Sequence, residues 1–119
     1  MPVNTAKNHF LGKEGFKRMN CAQSVISAFK DKFSLNSEII DSFSTYGAGI
    51  APGGLCGALY AAKFILEKNA EGEQSTELEK YFLVHAGAIK CNEIKSCKKL
   101  SCLGCVEKST EFLKKVHNE

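Results

Sequence analysis

Apolar residues recur at helical spacing along most of this chain, and nowhere do they alternate with the period of two that marks a half-buried strand. Leu55, Ala58, Leu59, Ala62, Ile65 and Leu66 form a clean stripe along one helix face. Ala22, Ile26, Phe29 and Phe33 make a second stripe, and Leu78, Phe82, Ala86 and Ile89 a third. A fourth runs through Cys105, Ser109, Phe112 and Val116, with Val106 and Leu113 alongside. Each stripe has to be covered by another helix. The sequence therefore predicts an all-α fold, a compact bundle of five or six short helices. With 119 residues, 44% of them hydrophobic, the chain forms one domain over residues 1–119 whose core needs no disulfide staples.

Local signals set the expected boundaries. Thr5 to Lys17 reads as a first helix with breaks at Gly12 and Gly15. Asn20 is an N-cap with Gln23 three residues on, a capping-box spacing that puts Cys21 in the first turn of the next helix. Ser37 to Tyr46 reads as a short helix burying Ile39, Ile40 and Phe43. Asn69 to Thr76 is a polar connection, with Ser75 or Thr76 as the next cap. Asn92 to Ser101 looks irregular, and a last helix is expected from Cys102 to His117.

The stretch before the central helix carries the densest chemical signal. Between Tyr46 and Ala58, Gly47, Gly49, Gly53 and Gly54 crowd a loop that leads straight into Cys56. Such a run can bring main-chain N–H groups close to something bound. A cysteine at a helix start also feels the partial positive charge of that end, which favours thiolate. Cys21, Cys56 and Cys105 all fall in expected first turns, so each is a candidate for a low-pKa thiol or a metal ligand. The alternative is a tight loop around a buried structural thiol.

Other chemistries find little support. Pro52 stands where a dinucleotide fingerprint needs its third glycine, and Leu55-Cys56 replaces the Lys-Ser/Thr of a phosphate loop. His9, His85 and His117 show no pairing that suggests a metal site or a catalytic dyad. The net charge of +3 is too small for a nucleic-acid footprint, and the excess falls from Lys90 onward, beside the C-terminal cysteines. That edge would favour thiolates or meet an acidic redox partner. No apolar run approaches membrane-spanning length and no signal peptide opens the chain, so a cytoplasmic location with reduced thiols is expected. The small residues Gly57, Ala58, Ala61 and Ala62 could let a second copy approach as a homodimer.

At the C-terminal end, Cys97-x4-Cys102-x2-Cys105 matches a plant-type 2Fe–2S spacing without its downstream fourth cysteine. Cys102-Leu103-Gly104-Cys105 is a CxxC without the βαβ surroundings of a thioredoxin motif. One close cysteine pair is also one short of the usual zinc pattern.

Asn20-Cys21-Ala22-Gln23-Ser24-Val25, the glycine loop with Cys56-Gly57-Ala58, Cys91-Asn92-Glu93-Ile94, and a final Cys105-Val106-Glu107 occur in order. Together they resemble the C_GCAxxG_C_C family of redox-active proteins, from about Asn20 to the end of the chain. The resemblance implies a small, mostly helical protein with four characteristic cysteines, carried over by motif to Cys21, Cys56, Cys91 and Cys105. Cys97 and Cys102 are additional, either could take the place of Cys105 as the fourth ligand, and Ala61 stands where the CGAxxG motif ends in glycine. A related domain occurs in split-Soret cytochromes, but Val106 after Cys105 rules out a CxxCH haem attachment here.

Two functions follow as expectations. In the first, those four thiolates hold an iron–sulfur cluster for electron transfer, with Gly47, Gly49, Gly53 and Gly54 donating N–H···S bonds around it. In the second, a thiol–disulfide oxidoreductase, Cys56 attacks and Cys21 or Cys91 resolves. A structural zinc site or buried thiols without turnover is the remaining reading.

Overall fold

Asn20 starts the best-defined helix. Its side-chain Oδ1 accepts the Gln23 backbone N–H at 2.7 Å, and Gln23 Oε1 accepts the Asn20 N–H at 3.3 Å. Both halves of the capping box are present, and the helix runs Cys21–Ala28. A helix of eight residues has little stability of its own, so packing must hold it. Cys21, Ala22, Ser24, Val25, Ile26 and Ser27 are all buried in it.

The computed structural model describes residues 2–15, 18–30, 35, 37–44, 54–68, 72–97 and 100–117. Its helices are α1 (Pro2–Leu11), α2 (Cys21–Ala28), α3 (Ser37–Ser42), α4 (Gly57–Lys68), α5 (Gln74–Ala86), α6 (Cys91–Cys97) and α7 (Cys102–His117). No strand occurs among the described residues, only an isolated antiparallel bridge between Leu55 and Lys90. No helix is long and apolar enough to cross a membrane among them.

The all-α expectation holds, with one helix more than five or six among the described residues. The added element is α6, which occupies most of the connection expected to be irregular. α1 begins before Thr5 and stops at Leu11, where Gly12 takes a φ of 68°. α3 ends at Ser42 rather than Tyr46. α5 begins at Gln74, ahead of the expected caps Ser75 and Thr76, with no side-chain cap at Glu73. At its other end Gly87 adopts φ 83°, a left-handed conformation that favours glycine, and its N–H closes on Leu83 O at 2.9 Å.

α2 and α4 pack most extensively, and α7 lies across α1, α2, α4 and α5. Ile26, Leu59, Ile65, Leu66, Phe82 and Leu113 are fully buried in this core. Each such side chain contributes about 1.5–3 kcal/mol through the area it removes from water. Phe43 closes α3 onto α4, its ring 5.8 Å from Tyr60 and 5.1 Å, edge-on, from Phe64. Lys63 pairs with Glu79 between α4 and α5. Gly57, Ala58, Ala61 and Ala62 are buried within the single chain. The small-residue face expected to serve a dimer is thus already covered inside the protomer.

Candidate functional site

Cys56 stands immediately before α4 and acts as its cap. Its carbonyl accepts the Tyr60 N–H at 2.9 Å, the first bond of the helix, and the N–H groups of Leu59 and Ala58 reach its sulfur. The chain arrives there through the Leu55–Lys90 bridge, reinforced by the Cys56 N–H donating to Ile89 O at 2.9 Å. That bridge ties the turn after α5 to the start of α4. It also brings Cys91, the first residue of α6, into sequence contact with the same junction.

Cys105 comes from the opposite side. α7 opens at Cys102, so Cys105 is its fourth residue, and its N–H is already engaged with Ser101 O at 2.9 Å. Ser101 caps the helix by accepting the Gly104 N–H on its hydroxyl at 3.0 Å. A Cβ on Gly104 would lie 2.6 Å from Leu100 Cδ1, so glycine lets Leu100 fold across this helix start. The Cys105 side chain points inward and is 2% exposed, while Cys56 is 5% exposed.

Cys105 lies beside the Cys56 thiol and is the main reason that thiol is pushed well above its ordinary range. Burial adds to the shift, as does the nearby negative charge of Cys105 when ionised. The N–H groups of Leu59 and Ala58 pull the other way and lose. Helix-start placement was expected to make Cys56 a low-pKa thiol, and here it does not.

One turn further along α7, Ser109 is fully buried and its Oγ has no hydrogen-bond partner. Two other buried helical hydroxyls behave differently. Ser24 Oγ donates to Asn20 O at 2.8 Å and Thr110 Oγ1 to Val106 O at 2.7 Å, the usual bond to the carbonyl four residues back. An unengaged buried hydroxyl costs about 1–3 kcal/mol, so Ser109 is an exception that needs a reason.

The remaining expected site residues are placed as follows. Cys21 is the buried first residue of α2. Cys91 is buried at the start of α6. Cys97 and Cys102 lie in α6 and α7, but their side chains fall outside the described residues, as do Gly47, Gly49 and Gly53 altogether. Gly54 is described, with φ 73°. No disulfide links Cys21, Cys56, Cys91 and Cys105. Among the described residues, no group of three or more His, Cys, Asp or Glu side chains could hold a metal ion. The described residues therefore supply no ligand set for an iron–sulfur cluster or a zinc ion.

A family model described as "Putative redox-active protein (C_GCAxxG_C_C)" matches residues 19–116. The chain belongs to the C_GCAxxG_C_C family. No curated protein and no solved structure matches it. In this C_GCAxxG_C_C protein Cys105 is a cysteine that lies beside Cys56. Nothing local in the sequence announces that contact. The available signal was weaker: Cys105 and Ser109 share the core-facing stripe of α7, and a core stripe has to meet another helix.

Proposed function

We propose that this C_GCAxxG_C_C protein is a thiol–disulfide redox protein whose Cys56 and Cys105 pass reversibly between dithiol and disulfide. What supports this reading is that two buried thiols, delivered by the starts of two different helices, lie side by side. The oxidant is the disulfide of a partner protein or a small molecule. Cys105 thiolate attacks it, a mixed S–S bond forms, and the partner's first sulfur leaves as a thiolate. Cys56 then attacks Cys105 Sγ, the mixed bond breaks, and the second partner sulfur leaves. Two electrons pass to the partner, whose sulfurs take up the two protons the pair gives away.

The order of events follows from what holds the Cys56 proton. Two of the three influences that raise it come from Cys105 itself. Once Cys105 is covalently joined to the partner, both vanish. The N–H groups of Leu59 and Ala58 remain at the Cys56 sulfur and favour its thiolate. Cys56 is therefore protonated while it waits and activated when needed. The positive excess from Lys90 onward favours an acidic partner.

The test is to equilibrate the anaerobically prepared protein in glutathione buffers and map its disulfides by peptide mass spectrometry. A Cys56–Cys105 link that forms and breaks reversibly is expected. Linkage of Cys56 to Cys21 or Cys91 instead would sink the pairing. Stoichiometric iron with acid-labile sulfide would favour the cluster reading, and tightly bound zinc without thiol oxidation the structural one.

A further inference from the structure

We propose that Gly54 is a positioning residue for the redox pair: its left-handed backbone feeds the chain into the Leu55–Lys90 bridge and so holds Cys56 where its sulfur can join Cys105. This rests on the reading that Cys56 and Cys105 are the redox pair. Gly54 has φ 73°, a backbone that L side chains rarely adopt. A Cβ built on it would meet nothing within 4 Å, so the position does not need glycine for room. It needs glycine for direction. The next residue, Leu55, pairs with Lys90, and the one after it, Cys56, donates its N–H to Ile89 O at 2.9 Å. On its other side the Cys56 carbonyl takes the first bond of α4, from the Tyr60 N–H at 2.9 Å. The Cys56 backbone is thus held on both sides of its Cα, and Gly54 sets the approach.

A disulfide is strict about where its two backbones stand. The Cα atoms it joins lie about 4.4–6.8 Å apart, and departures from its geometry make it easier to reduce. An L residue at position 54 is strained at this φ, and it sheds the strain by turning φ negative, which lifts Leu55 and Cys56 away from Ile89 and Lys90. In the dithiol only hydrogen bonds oppose that movement. In the disulfide a covalent bond to α7 opposes it as well, so the strain stays. Gly54 therefore favours the disulfide, relative to a residue that shuns a left-handed backbone.

Gly15 supplies a matched control. It has φ 84° and open space where a Cβ would stand, in the connection between α1 and α2, which carries neither cysteine of the pair. The experiment compares wild type, Gly54→Ala, Gly54→Asn and Gly15→Ala in a series of glutathione redox buffers at one pH, with thermal melting of each reduced protein alongside. Gly54→Ala is expected to shift the equilibrium toward the dithiol by about tenfold, the penalty of a left-handed backbone for an L residue. Gly54→Asn, whose short polar side chain tolerates that backbone, should stay within about threefold of wild type. Gly15→Ala should lower melting yet leave the equilibrium where wild type has it. An unchanged equilibrium in Gly54→Ala, an equal shift in Gly15→Ala, or a shift in Gly54→Asn as large as that in Gly54→Ala overturns the inference and leaves the redox pair standing. If wild type forms no Cys56–Cys105 disulfide, the pair and the inference fall together.

Discussion

The start of α2 and the junction of α4 with α7 both hold buried cysteines, and they differ in how completely the surrounding polar groups are engaged. At the start of α2, Asn20 and Gln23 cap each other, and they do more than that. The Asn20 amide donates to Phe43 O at 3.0 Å and Ser44 O at 2.9 Å, and the Gln23 amide donates to Ile40 O at 3.2 Å. These are carbonyls at and beyond the end of α3, where the helix leaves its last C=O groups without intrahelical N–H partners of the regular kind, although Ile40 O also accepts the Phe43 N–H at 3.1 Å. Both amides are used at both ends. The junction of α4 with α7 is built the other way. The Cys56 proton sits between competing influences, and Ser109 keeps an unengaged hydroxyl inside the core. A fully satisfied network fixes geometry, whereas a partly satisfied one retains capacity to respond to a change of charge or bonding. We read the α2 start as the frame and the α4–α7 start as the working part.

The sharpest way to break that division is to remove sulfurs one at a time. Cys56→Ser and Cys105→Ser should each abolish the intramolecular disulfide completely. Cys21→Ser should leave it forming in the same glutathione buffers, as read by peptide mapping. Equal loss in all three would erase the contrast between the two helix starts. The next largest effect belongs to the frame. Asn20→Ala removes an N-cap and two bonds to the end of α3, for about 2–3 kcal/mol in urea unfolding of the reduced protein. Its dithiol–disulfide equilibrium should stay where the wild type has it. A large redox shift with little loss of stability would reverse the roles assigned to the two junctions.

The sequence made the frame legible because the frame is local. Asn20 and Gln23 are three residues apart, and their reciprocal bonds depend on nothing else. The stripes of α2, α4, α5 and α7 were equally readable, since periodicity is a short-range property. α6 was not. Among the described side chains of Cys91–Cys97, only those of Cys91 and Ile94 are buried. The Leu55–Lys90 bridge, a tertiary contact, sets where it begins. The start of α5 was misread for a related reason: Ser75 and Thr76 are good caps in isolation, yet Gln74 is already helical and Ser75 Oγ is left unengaged. The meeting of Cys56 with Cys105 is the extreme case. Each cysteine could be assigned to a helix start, but which sulfur faces which is decided by how α7 crosses α4. Helix-start placement alone also overstated acidity at Cys56, because a second thiol and burial outweigh two backbone N–H groups.

The smallest effect should appear as a slope against pH. In the unfolded chain a cysteine ionises above about pH 8.5. The folded, reduced protein holds the Cys56 proton to higher pH, through neighbouring Cys105 first and its burial second. Over that alkaline window the folded state binds more protons than the unfolded state. The stabilisation is fully present below the unfolded value and is lost as pH rises through the folded one, by at most about 1.4 kcal/mol per pH unit. Tyr81 adds a fall of the same sign, since burial and the Glu111 carboxylate, whose Oε1 accepts its hydroxyl at 3.2 Å, raise it too. Tyr81 is unchanged in Cys56→Ser, so subtracting the variant's alkaline unfolding curve from that of wild type isolates the thiol. The disulfide form, which has no proton on either sulfur, should match the variant. Parallel curves for reduced wild type and Cys56→Ser would mean that the Cys56 proton is not held by the fold, and the two helix starts would then differ in packing alone.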